Sequence, residues 1–346
     1  MPPLFASTVR LLEPGDPAWE VALAKVAHDV FHTAPYADAC GRMEGAAPRL
    51  LVLEGPSGGI LVPILVRSLE AFGLPDHFDA ASPYGYPSPL AWGAPSPQER
   101  ADLDAALVAV LRERRIINLF LRLSPFLPLP GEIREILGDQ EDHGLLVYID
   151  LKEPDGGWHG MQSRIRSFVR SRERRGHRIV MDAWDTLEAV TAAYMETMER
   201  KQAPPGYLFG QAFFEHLRDA PGGHFHLATA LSPEGEVMGG AFFTECQGIV
   251  HYFLTGTFER FAHESPGKLL INALREWGLA HGCSVVNLGG GLGSREDSLY
   301  HFKALFSPAR ARFSTLRRVI MPEVHGDLCG EISAGSFFPP YRLAGA

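Results

Sequence analysis

Apolar residues recur at three- to four-residue spacing through residues 17–30, 96–115, 187–200 and 265–280, and gather into short β-rich runs at 49–54, 59–66, 117–123, 144–151, 178–182, 224–230, 236–246, 249–256, 283–288 and 312–320. The first pattern predicts amphipathic helices and the second predicts strands. Shorter helices are expected at 131–137, at 211–217 and, after a turn at 31–36, in the segment that follows it. The turns PSGG and SPEGE each join two strands into an antiparallel hairpin. The two hairpins echo each other, LVLEGPSGGILVPIL beside LATALSPEGEVMGGAFF, and ALVAVLRER resembles LLINALREW further on. This pattern predicts a duplicated chain of the α/β class with mixed sheets flanked by helices. The expected domains are residues 1–152 and 153–320, with a tail, 321–346, that either packs across the first domain or is partly disordered.

The densest stretch is SPGKLLINALREWGLAHGCSVVNLGGGLGSREDSLYHFKALF, residues 265–306. Ser265 suits a helix N-cap, Pro266 suits the first helical position, and Leu270, Ala273, Leu274 and Trp277 share a helical face. Gly282 is expected to end that helix. A short buried strand follows, and Gly289, Gly290, Gly291 and Gly293 then permit a sharp turn or close approach to a ligand. A second helix is expected over 296–306, with Leu299, Phe302 and Phe306 inward and Lys303 beside them.

At 346 residues and 46% hydrophobic content the chain can bury a large core, and no apolar run approaches the roughly 18 residues needed to span a bilayer. Without a signal-like start, a cytoplasmic location is expected. Cys40, Cys246, Cys283 and Cys329 lack metal or disulfide spacing and read as small buried hydrophobes. The formal net charge of -9 argues against a surface built wholly for nucleic acid. Against that background RIRSFVRSRERRGHR, residues 164–178, is a local arginine cluster. It reads equally as a phosphate-binding patch and as a solvated amphipathic helix with Ile165, Phe168 and Val169 inward. The loop ASPYGYPSPLAWG, residues 81–93, is stiffened by prolines and presents Tyr84, Tyr86 and Trp92, either to a cleft or as cover for the core.

The run SPGKLLINALREWGLAHGCSVVNLGGG with DSLYHFKALF, the upstream YMETMERKQAPPGYLFGQAFFEHL, and the loop SPYGYPSPL resemble the FemABX-related transferases and their GNAT-like relatives. The resemblance covers most of residues 49–320 and implies two tandem GNAT-like domains. It implies an acyltransferase that forms an amide on an amine acceptor, a small molecule or a peptidoglycan precursor. The acyl donor would be aminoacyl-tRNA or acyl-CoA, with no tightly bound cofactor. By the same resemblance Lys303 sits at the reaction centre and Arg200 holds acceptor phosphate, with Tyr84, Tyr86 and Tyr207 lining the acceptor site. Tyr252 contacts the donor or relays a proton, and Ser265, Gly267, Lys268, Gly289, Gly290 and Gly291 hold the donor. The plainer alternatives are a surface lysine for Lys303, a half-buried strand aromatic for Tyr252 and a dipole-offsetting arginine for Arg200.

Two features bear on the donor. HESPGK, residues 263–268, replaces the Q/R-x-x-G-x-G/A loop with which GNAT enzymes bind pyrophosphate, and no charged coiled coil interrupts the second half as in longer Fem members. A conventional acyl-CoA N-acetyltransferase therefore remains the alternative enzyme, and a binding protein that kept the fold without turnover is the alternative outside enzymes. Other signatures lead elsewhere. The glycines of 289–293 lack the GxGxxG spacing, and SxxK at Ser265 and Lys268 has no partner motifs. His224 and His226 lack a third ligand, so no metal is expected.

Overall fold

The computed structural model describes residues 7–330 and 337–345; of the segments considered above, residues 1–6, 331–336 and 346 lie outside the described residues. The chain divides into two compact units, Met1–His143 with Phe313–Ala346, and Gly144–Arg312. The division thus falls at 143/144 where 152/153 was expected, and the last 34 residues return to the first unit.

In chain order the elements are β1 (Thr8–Leu12), α1 (Pro17–Leu23), α2 (Ala34–Glu44), β2 (Ala47–Gly55), β3 (Gly58–Leu69), β4 (Leu74–Ala81), β5 (Leu90–Gly93), α3 (Pro97–Glu113), β6 (Ile116–Arg122) and α4 (Gly131–Leu137). Then come β7 (Asp139–Asp150), α5 (Ser163–Arg174), β8 (Arg178–Met181), α6 (Leu187–Arg200), α7 (Gln211–Arg218), β9 (Phe225–Leu231), β10 (Val237–Cys246), β11 (Ile249–Thr257), α8 (Pro266–Ala280), β12 (Val285–Gly289) and α9 (Ser298–Lys303). The chain ends with β13 (Arg310–Val319) and α10 (Pro322–Cys329).

In the first unit the strands lie in the order β1-β2-β3-β4-β6-β13, with β5 against β3. All these pairs are antiparallel except β4 with β6. Ser96 caps α3 through a reciprocal capping box with Glu99, and Leu103, Leu107 and Leu111 bury one face of that helix. The expected helix over 17–30 stops at Leu23, because a new start forms at Asp29. Its side chain accepts from Val30 N–H while its own N–H donates to His32, closing a capped 3-10 turn. Trp92, expected in a loop, lies in β5, where its ring covers Gly59: a Cβ there would stand 2.3 Å from the indole. Strands β1 and β4 were not expected. β4 contains Asp79, fully buried, whose carboxylate takes Arg67 Nε at 2.8 Å, Arg342 Nε at 2.6 Å and Tyr341 Oη at 2.9 Å.

In the second unit the order is β7-β12-β11-β10-β9-β8. Here too one pair, β11 with β12, is parallel and the other pairs with a resolved register are antiparallel. Hairpin, third strand, helix and parallel strand thus recur in both units, as β2-β3-β4-α3-β6 and as β9-β10-β11-α8-β12. The core of the second unit joins Ile165 and Val169 of α5, Leu269, Leu270 and Leu274 of α8, and the strand residues Val250, Val286 and Leu288. Close packing of α6 needs glycine in the sheet, since a Cβ at Gly256 would meet the Tyr194 backbone at 2.3 Å.

Candidate functional site in the second unit

Strands β11 and β12 pair over only three positions, Ile249↔Val285, Val250↔Val286 and His251↔Asn287. β11 then continues to Thr257 and β12 to Gly289, so their carboxyl ends are no longer joined by ladder hydrogen bonds. In mixed α/β sheets such a place, beyond the carboxyl ends of adjacent parallel strands, is where a ligand can enter. The glycine loop, the start of α8 and α9 meet there.

Lys303 is the most informative residue. It is 9% exposed, and its Nζ donates to Gly290 O at 2.7 Å. Burial pulls its pKa from the ordinary 10.5 to about 8, with Asp297 opposing the shift. The helix that carries it begins at Ser298, two residues later than expected, because Asp297 is the N-cap and accepts from Tyr300 N–H at 2.9 Å. That start buries Tyr300 and Lys303 and leaves Leu299 42% exposed, correcting the expected inward position of Leu299. Phe306 is fully buried, as expected.

Asp297 also accepts from Leu292 N–H at 3.0 Å, which ties the glycine loop to α9. Its partial burial would raise the carboxyl pKa, but backbone N–H donors from Tyr300, Leu292 and Leu299, and Lys303 beyond them, hold it below the usual range. Gly289 is left-handed at φ 76°, and a Cβ at Gly291 would collide with Arg295 O at 2.1 Å and Asp297 Oδ1 at 2.3 Å. Glycine is therefore required for this loop to fold back on the cap.

Tyr252 is buried on β11 and donates to Thr255 Oγ1 at 3.0 Å, which donates in turn to Gly240 O at 3.0 Å. Burial pushes its phenol up to about 12, with the Thr255 hydrogen bond acting the other way. A Cβ built on Gly267 would lie 3.8 Å from Tyr252 Oη and 3.5 Å from the Phe302 ring. Tyr252, the first turn of α8 and α9 therefore converge. Ser265 does not cap that helix with its side chain: it is left-handed at φ 49°, because it also closes the preceding 3-10 turn, Glu259–Glu264. Its N–H donates to Ala262 O, and Lys268 N–H donates to Ser265 O, each at 3.1 Å. Pro266 has no N–H, so the helix start presents Gly267 rather than a run of consecutive free amides. Lys268 Nζ sits 4.4 Å over the Phe168 ring of α5.

The other expected site residues have partners of their own. Arg200 closes α6, with its guanidinium 2.6 Å from Glu259 and 3.7 Å from Glu196. Tyr207 lies in a 3-10 turn and accepts the Tyr194 hydroxyl on its carbonyl. Tyr84 and Tyr86 belong to the first unit, where Tyr84 O accepts from Tyr36 Oη at 2.9 Å and Tyr86 stands edge-on to Phe31 and Phe313. His224 and His226 go to different partners, Glu245 O and the Asp182 carboxylate. Among the described residues no group of three or more His, Cys, Asp or Glu side chains is placed to hold a metal. Nor is any helix there long and apolar enough to cross a membrane. Asp297 was missed as a site residue; DSLYHFK carries the signal, an Asp three residues before the Tyr whose N–H it caps.

Residues 160–313 match the family model described as the Acetyltransferase (GNAT) domain. No curated protein matches the chain. Among solved structures it is similar in fold to FemX, with a TM-score of 0.67 at 12% identity over 92% of this chain and 98% of that one. It is also similar to L-PGS from Bacillus licheniformis, with a TM-score of 0.55 at 14% identity over 88% of this chain and 92% of that one.

Proposed function

We propose that this chain, an acyltransferase whose second unit is a GNAT-type domain, moves an aminoacyl group from an RNA ester to an amine acceptor and leaves an amide. One observation carries the reading: a lysine buried beside a glycine loop where two parallel strands part, its pKa lowered by that burial, with a phenol and a helix start facing the same place.

The chemistry needs a neutral amine, a stabilised oxyanion and a proton for the leaving oxygen. The acceptor nitrogen attacks the ester carbonyl, the C–N bond forms as the C–O bond breaks, and the amine's proton ends on the released ribose hydroxyl. Protonated Lys303, fixed to Gly290 O, is suited to face the developing oxyanion, and Tyr252 is suited to pass the proton. No covalent enzyme intermediate is required.

An aminoacyl ester is favoured over a CoA thioester by the start of α8. The proline, the left-handed Ser265 and the internal use of the Ser265 and Lys268 N–H groups leave little of the amide cradle that a pyrophosphate needs. The likeness to FemX and L-PGS points the same way, and a peptidoglycan-precursor amine is the acceptor class to try first. The test is to incubate the purified protein with a panel of amines and either charged tRNA or acetyl-CoA, and to read the amide by mass spectrometry. Product from charged tRNA alone supports the reading; product from acetyl-CoA alone replaces it with the N-acetyltransferase, and product from neither favours a binding protein.

A further inference from the structure

Residues 164–178 hold seven arginines and one glutamate in a chain of net charge -9. Two of the arginines are held by backbone carbonyls or a carboxylate. Arg166 donates to the carbonyls of Trp158, His159 and Met161 just before α5, and Arg172 pairs with Glu264. Arg164, Arg170, Arg174, Arg175 and Arg178 are exposed; Arg170 lies over the Trp158 ring and attracts Glu173, and among the described residues no carboxylate forms an ion pair with Arg164, Arg174, Arg175 or Arg178.

Their placement is regular. Ile165 and Val169 point α5 into the core. At 3.6 residues per turn Arg164, Arg170, Arg174 and Arg175 all fall on the opposite side. Between them, at four-residue steps, stand Ser163, Ser167 and Ser171. Acidic residues at those steps would neutralise the arginines and stabilise the helix; the serines leave the charge bare and add short hydroxyl donors. Glu173, the helix's one carboxylate, is on another flank, where Glu276 of α8 repels it and Arg170 alone of the face attracts it. Like charges gathered this way disfavour the free protein, and a polyanion would remove that cost.

The face leads to the site. Phe168 of α5 carries Lys268 Nζ over its ring, and Lys268 is the third residue of α8, next to Gly267. Burial, then Arg164 and Arg172, lower the Lys268 pKa, which is the mark of converging cations.

We propose that the outer face of α5 is a docking surface for the phosphate backbone of RNA, leading the donor's acylated end toward Lys303. The inference rests on the aminoacyl-RNA reading above and adds the surface that would hold it. Charge complementarity selects a long polyanion: the face is an array of separate guanidiniums spaced along a helix.

The test compares the wild type with a variant carrying Arg164→Gln, Arg174→Gln and Arg175→Gln. A control carries Arg10→Gln, Arg42→Gln and Arg114→Gln, which remove the same charge from exposed sites in the first unit. Filter binding of uncharged tRNA is measured across a salt series. The α5 variant should bind about 10–100-fold more weakly, with a log–log salt slope shallower by about 2–3, while the control is unchanged. Steady-state transfer from charged tRNA should show the loss in KM with kcat retained. Equal binding by all three proteins overturns the docking surface, and continued transfer in that case leaves the aminoacyl reading standing. Wild-type binding lost only in the control, or preference for anionic vesicles over RNA, also overturns it. Normal tRNA binding without transfer keeps the surface and removes the aminoacyl reading.

Discussion

Replacing Lys303 with methionine should stabilise the protein at neutral pH while abolishing turnover. Burial lowers the ammonium's pKa from 10.5 to about 8. At pH 7 that shift amounts to about 3 kcal/mol held against the folded state. Methionine fills the same space without the charge, but Gly290 O loses its donor, at a cost of about 1 kcal/mol. The net expectation is about 2 kcal/mol of added stability at pH 7. The sign follows from the shift: because the folded pKa lies below the unfolded one, the unfolded chain holds the extra proton between roughly pH 8 and 10.5, and wild-type stability rises through that window. By pH 10 the wild type should have recovered most of that penalty, and the methionine advantage should be gone. Urea denaturation of both proteins from pH 7 to 10 provides the measurement, and the difference between them cancels the other titrating groups. A difference that does not change with pH, or a less stable variant at pH 7, would refute the argument that Lys303 is buried and destabilised.

Tyr252→Phe should lower kcat by at least about tenfold and change stability by about 1 kcal/mol, since it removes the phenol's proton and one hydrogen bond to Thr255; an unchanged kcat would exclude a proton-relay role. Gly256→Ala sets a methyl 2.3 Å from the Tyr194 backbone, so thermal denaturation should show a loss of more than about 3 kcal/mol. Asp79→Ala leaves Arg67 and Arg342 facing an empty buried site and should cost about 3–5 kcal/mol by chemical denaturation, with transfer chemistry in the second unit intact in the folded fraction. A loss under about 1 kcal/mol would mean that water reaches those guanidiniums.

The fold was most legible where periodicity and capping agreed. α3, with Ser96, Pro97 and Glu99 at its start, and α4, bounded by Gly131 and Leu137, lie where the pattern puts them. The hairpins were readable because each turn sits between two apolar, β-rich runs. β4 was hidden because LPDHFDAA carries two aspartates, and only the folded chain brings Arg67, Tyr341 and Arg342 to the buried one. The site was legible in outline, since Lys303 and the glycines share one stretch. Its electrostatics were not. The burial of Lys303 depends on a helix that starts at Ser298, capped by Asp297, rather than at Glu296, a two-residue difference that leaves Leu299 exposed. Ser265 likewise has the residue type of a cap, but the preceding 3-10 turn demands the left-handed conformation and removes that role.

The central claim is that the donor's acylated end lies against Lys303. It is tested most directly with tRNA whose terminal ribose has been oxidised to the dialdehyde, which forms an imine with a nearby amine that borohydride then fixes. After reaction at pH 8 and proteolysis, the adduct should map to the peptide containing Lys303, and excess intact charged tRNA should prevent it. Adducts confined to lysines of the first unit, or labelling that intact donor does not compete away, would contradict the account.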